Sequence, residues 1–193
     1  MHHRGDFHQA SGDLPARYLD SRGAGVDRLF LGSGMNGRIY LAGPEVFLVD
    51  AQAVGERMKA LCESFGYEGW FPLDNEIEAG EPLVMARQIQ EANVAMIRRC
   101  DAVIANLSPF RGPEPDSGTV WEVGFAQGLG KRVLAYSSDL RPLKIRTQQM
   151  LGLREGERDL QGYGLEDFGL SHNLMLAPLV VSESLEGCLK QLG

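Results

Sequence analysis

"DSGTVWEVGFAQGLGKRVLAY", residues 116 to 136, reads as a helix running into a strand, with a glutamate in the middle of an apolar stretch. At about 100° per residue, setting Glu122 at zero puts Leu129, Ala126 and Gly118 within roughly 40° of it. Phe125 and Thr119 fall about 60° to either side, while Gln127 and Lys131 lie on the opposite face, roughly 140° to 180° round. The carboxylate therefore points with the apolar stripe and away from the polar residues. A solvated glutamate belongs with Gln127 and Lys131. Burying an unpaired carboxylate is unfavourable, so one in this position is normally paired, protonated or functional.

Outward from this helix and strand the chain alternates. Strands are predicted at "RIYLAG" (38–43), "GWFPL" (69–73), "DAVIANL" (101–107), "RVLAY" (132–136) and "PLVVS" (178–182). Helices are predicted over 50–66, with Met58, Leu61 and Cys62 among the apolar positions, and over 84–100, 116–130 and 184–192. A long loop is predicted between the fourth and fifth strands. "DAVIANL" is apolar on both faces, as in a covered parallel sheet. Five strands alternating with helices predict an α/β fold, an open doubly wound five-stranded parallel sheet (flavodoxin- or Rossmann-like) in one domain, residues 37–193. Residues 1–36, rich in Gly, Arg, Asp and Ser with one apolar run, "RLFL", read as an N-terminal extension. Met35, directly before the first strand, fits a natural start.

Bulk properties exclude several classes. The 193 residues, 44% hydrophobic and 23% charged, are enough for one sizeable core and short for two domains. No apolar run approaches the roughly 18 residues of a membrane span. The N-terminus lacks the apolar core of a secretory signal, so a cytoplasmic protein is predicted. A net charge of −7 argues against a nucleic-acid binder. Cys62, Cys100 and Cys188 are scattered without metal-ligand spacing and read as reduced core thiols. Of the four histidines, three fall in the first eight residues, so the chemistry must rest mainly on carboxylates, with no metal or other cofactor.

In doubly wound sheets ligands bind beyond the carboxyl ends of the strands. That directs attention to "AGPEVF" (42–47), "PLDN" (72–75) and "NLSPFRGPEPDSG" (106–118). Asp116 is placed to cap the helix of Glu122, and as the end of a ligand-facing loop it is equally placed to meet a ligand. Arg111 reads as a solvated loop arginine, with contact to a substrate phosphate as the functional alternative. "GSGMNG" (32–37) matches a dinucleotide fingerprint but precedes a strand instead of linking strand to helix, and is discounted.

"IYLAGPEVF", "PLDNE", "CDAVIANLSPFRGPEPDSGTVWEVGFAQGLGK" and "NLML", in that order, resemble the nucleoside 2-deoxyribosyltransferase family over residues 38 to 192. The resemblance implies transfer of the 2-deoxyribosyl group between nucleobases, with retention, through a covalent glycosyl-enzyme. Glu122 matches the family's nucleophile, Tyr40 the tyrosine that orients it, and Asp116 the carboxylate that binds the sugar hydroxyls. Gly43 and Gly118 fall in the substrate pocket. Asn93 stands where one branch carries an aspartate that assists base protonation, which leaves Asp74, where members contact the base, as the candidate general acid. Asn173 and Met175 match residues that a neighbouring subunit contributes. The implied partners are a deoxynucleoside, a free nucleobase and further copies of the chain. A deoxynucleoside 5′-monophosphate N-glycosidase and a non-catalytic nucleotide sensor are the alternatives.

Overall fold

The computed structural model describes residues 36–193. All but the last residue of the extension assigned to residues 1–36, with "RLFL" and most of "GSGMNG", lies outside them. Five strands, β1 (Arg38–Ala42), β2 (Glu68–Trp70), β3 (Ala102–Asn106), β4 (Arg132–Tyr136) and β5 (Val180–Ser182), alternate with helices α1 (Ala51–Ser64), α2 (Pro82–Arg99), α3 (Ser117–Gly128), α4 (Leu143–Leu151) and α5 (Leu185–Leu192). All neighbouring strands are parallel, in the order β2-β1-β3-β4-β5. The doubly wound five-stranded sheet is as predicted. The predicted long loop contains α4, and the second strand is shorter than predicted, because Pro72–Asp74 turn into a 3₁₀ helix.

Strand parity divides the core into two layers. Tyr40, Ala42, Val103, Ala105, Val133 and Ala135 face α2 and α3, where Met96, Ile97, Val123 and Ala126 meet them. Ile39, Leu41 and Ile104 face the other way, onto Cys62 of α1 and Leu185, Cys188 and Leu189 of α5. Full burial of an aliphatic side chain of this size stabilises by about 1.5–3 kcal/mol, so the two layers supply the main favourable contribution. The three cysteines are buried free thiols. No described helix is long and apolar enough to cross a membrane.

This arrangement fixes where a ligand can sit. The strand order reverses direction between β1 and β3, and the crevice beyond their carboxyl ends is the topological switch point. Gly43 follows β1 there. The chain leaving β3 passes through residues 107–115 to Asp116, where α3 begins. Tyr40 lies on the α3 side of the sheet, so its ring is aimed at the helix of Glu122.

Candidate active site

Helix α3 begins because Asp116 caps it. Its Oδ2 accepts the Thr119 amide at 2.9 Å and the Thr119 hydroxyl at 3.0 Å. Thr119, Val123 and Ala126 form the buried face of the helix. Glu122 stands at the edge of that face, between the core and a cavity of about 580 Å³. Gly118 and Leu129, which the helical projection groups with Glu122, are exposed on the other flank.

At that boundary the carboxylate has two donors on one oxygen. Tyr40 Oη donates to Glu122 Oε1 at 2.7 Å, and Asn93 Nδ2 reaches the same atom at 3.5 Å. Burial raises the Glu122 pKa to about 7; the Tyr40 hydrogen bond opposes the rise, the negative charge of Asp116 adds to it, and the Asn93 contact opposes it. Burial, and then the adjacent Glu122 charge, hold the Tyr40 hydroxyl far above its ordinary value, so it remains a donor. Glu122 Oε2 makes no hydrogen bond to the described residues. One oxygen is anchored and the other is available for chemistry.

The cavity is lined by Glu122, Asp116, Asn93, Gly43 and Gly118, together with Asn75 and an apolar wall that includes Phe47, Leu73, Ile77, Met85 and Ile89. Among the described residues no lysine or arginine lines it. Gly43 is constrained by close approach, since a Cβ there would collide with the Glu45 carboxylate and press on Asn106. Glu45 is itself held by Asn106 Nδ2 at 2.6 Å and Tyr136 Oη at 3.1 Å.

Glu122, Tyr40, Asp116, Asn93, Gly43 and Gly118 are thus brought together. Three other sequence-predicted residues are not. Asp74 belongs to a separate depression beside Glu56 and Lys59. Its 3₁₀ turn folds the carboxylate back to accept the Phe71 amide at 2.8 Å and the Lys59 ammonium at 2.6 Å. The geometry does not support Asp74 as a general acid at the base: it is the acceptor of an ion pair and does not line the Glu122 cavity. Its neighbour Asn75 does, a residue present in the "PLDN" stretch but not singled out there. The amide of Asn75 donates to Pro72 O at 3.0 Å and contacts Met96 Sδ at 2.9 Å. Both neighbours are acceptors only, so the nitrogen faces them and Asn75 Oδ1 is left as an acceptor. Asn173 and Met175 lie outside the cavity of their own chain. Asn173 Nδ2 donates to Glu166 at 2.7 Å, and Met175 is 72% exposed.

The fold and this constellation define an α/β protein with a buried tyrosine–glutamate pair at the switch point. The family model for nucleoside 2-deoxyribosyltransferases matches residues 39–175, and the chain belongs to that family. Among solved structures it is similar to a 2-deoxyribosyltransferase from Leishmania mexicana, at 39% identity and a TM-score of 0.65, with 80% of this chain and 95% of that one covered. It also resembles the structure of a Clostridium botulinum CMP N-glycosidase at 17% identity and a TM-score of 0.41, over 80% of this chain and 97% of that one; a likeness so faint carries nothing on activity. An uncharacterized protein of Schizosaccharomyces pombe is 33% identical over 115 residues. That match covers 56% of this chain and 54% of the yeast protein, so the chain spans about half the length of this curated relative.

Proposed function

We propose that the chain transfers the 2-deoxyribosyl group between nucleobases, using free deoxynucleosides, through a covalent intermediate on Glu122. The observation that carries this reading is the Tyr40–Glu122 pair at the cavity wall, with one carboxylate oxygen anchored at 2.7 Å and the other unengaged. Glu122 Oε2 attacks C1′ as the C1′–N bond breaks, and the bonding pair leaves with the base. The transition state resembles an oxocarbenium ion, which an adjacent carboxylate stabilises before it traps the sugar as an ester. A nitrogen of the second base then attacks C1′ from the face the first base left, and its proton passes to the hydroxide left when water protonated the first base. The ester bond breaks, Glu122 regains its charge, and the configuration is retained. Asn75 and Asn93 are carboxamides and give up no proton, so the departing base takes its proton from water. Asp116 accepts hydrogen bonds from the sugar hydroxyls while Oδ2 continues to cap α3. Asn173 and Met175 of a neighbouring copy complete the sugar pocket in a homo-oligomer.

The charge of the cavity favours this reading over a 5′-monophosphate hydrolase. Among the described residues two carboxylates and no cation line it, and a phosphate dianion placed against them would be repelled without compensation. The non-catalytic sensor reading is weakened by the presence of Glu122 itself.

Incubation with deoxyinosine and adenine tests the proposal, with formation of deoxyadenosine and hypoxanthine expected. A 2-deoxy-2-fluoro nucleoside should leave its sugar on Glu122, as located by peptide mass spectrometry. Free deoxyribose without exchange would make the protein a hydrolase, and a label on another residue would remove Glu122 as the nucleophile.

A further inference from the structure

A second cleft, of about 530 Å³, lies between the loop after β3 and the start of α4, and Arg111, Arg141 and Arg146 all line it. In a chain of net charge −7 this is a local reversal of sign. Arg111 sits at φ 55°, the left-handed region that residues other than glycine seldom adopt. Its guanidinium lies 4.6 Å from the centroid of Phe110 and 5.3 Å from that of Phe47, two rings stacked on each other at 5.3 Å. The ion pairs of the cleft, Arg141–Asp139 at 2.6 Å and Arg146–Asp139 at 3.9 Å, leave Arg111 out. Its charge is held by aromatic faces, with its N–H groups unengaged by the described residues.

Arg141 is pre-positioned. Nε and Nη2 reach Asp139 at 2.9 and 2.6 Å, and Nη1 reaches Gln149 at 3.0 Å. That occupies three of the five N–H donors of a guanidinium and leaves two directed elsewhere. Arg146, 5% exposed, holds this turn from beneath. Nη1 donates to the carbonyls of Asp139 at 2.6 Å and Arg141 at 3.2 Å, Nη2 donates to Ser171 O, and Nε has no partner. Asp139 and Glu114 both act on Arg146 and offset part of the positive charge. Against three guanidinium groups they leave the cleft net positive.

We propose that this cleft is an oxyanion site that takes a phosphate group, with Arg111 and Arg141 as the contacting forks and Arg146 as their buried support. Guanidinium forks match phosphate oxygens in pairs, and such charge-assisted bonds are the stronger class of hydrogen bond. Pairing Arg141 with Asp139 alone requires neither the left-handed Arg111 nor a third, buried guanidinium. The site shares no lining residue with the Glu122 cavity, which no lysine or arginine of the described residues lines, and occupancy is read without turnover, so it stands or falls separately from the transferase reading.

The test is calorimetric titration of the full chain at constant ionic strength with inorganic phosphate and with glycerol 3-phosphate, a phosphomonoester without a nucleobase, against sodium chloride as control. At least one phosphate compound should bind, and Arg111→Gly and Arg141→Ala should each weaken it by about tenfold. Arg111→Gly is the informative variant. Glycine suits the left-handed backbone, so the melting temperature should hold or rise while the guanidinium is lost. Equal affinity for the two compounds makes the free anion a sufficient ligand; binding of the ester alone makes the organic portion part of what is recognised. Heats no larger than those of chloride, or undiminished binding in the Arg111→Gly, Arg141→Ala double variant, would overturn the proposal.

Discussion

Glu122 makes stability and activity pull in opposite directions as pH changes. Its folded pKa of about 7 lies above the ordinary carboxylate range because of burial. Below about pH 4 folded and unfolded chains both hold the proton, and the neutral side chain is buried without penalty. As pH rises the unfolded chain ionises first, so stability falls until folded Glu122 also ionises near 7. At about 1.4 kcal/mol per pKa unit the loss amounts to roughly 3 kcal/mol. Glu122→Gln should therefore melt with wild type at pH 4 and above it at pH 8. The proposed nucleophile is the ionised form, so wild-type kcat/KM should climb about tenfold per unit below pH 7 and level off above it, while Glu122→Gln should be inactive. Activity that falls between pH 6 and 8 would assign Glu122 the role of an acid.

Helix α3 joins capping to electrostatics, because Asp116 serves both. Asparagine caps about as well as aspartate, so Asp116→Asn should leave the melting temperature nearly unchanged. It also removes a negative charge that raises the Glu122 pKa, so the acid limb of the rate profile should move to lower pH while KM rises. An unmoved profile with unchanged KM would make Asp116 a cap alone. The elements also show what sequence conceals. The short apolar strands and the apolar stripe of α3 were legible, and so was the anomaly of Glu122, though the projection centred it on a stripe whose edge it occupies. Helix α4 was not legible because its buried face consists of Leu143 and Arg146, and an arginine leaves a gap in any apolar pattern. The placement of Asp74 was hidden for a different reason. "PLDN" signals a turn, but only the folded 3₁₀ turn shows that Asp74 goes to Lys59 and Asn75 to the cavity.

Across the whole molecule, the sugar pocket lacks two residues that the family resemblance assigned to it. Asn173 is held by Glu166, and its Oδ1 accepts the Met175 amide at 3.0 Å, which fixes a short exposed segment outside its own cavity. Such a segment is suited to reach a neighbouring copy, and under the proposed mechanism a lone chain would keep an open pocket in which water competes for the glycosyl-enzyme. If sites are shared, Glu122→Ala and Asn173→Ala are lesions in different chains of one site. Each variant alone should lose at least about a hundredfold in kcat/KM, roughly 2.7 kcal/mol of transition-state stabilisation. Mixed under conditions that exchange subunits, they should regain activity, because a hybrid pair contains one site with both residues intact. Native mass spectrometry would count the hybrids, and recovered activity should scale with their fraction. Hybrids that form without recovery would mean that each chain supplies its own Asn173, which requires the 166–175 segment to swing toward the Glu122 cavity from its position beside Glu166.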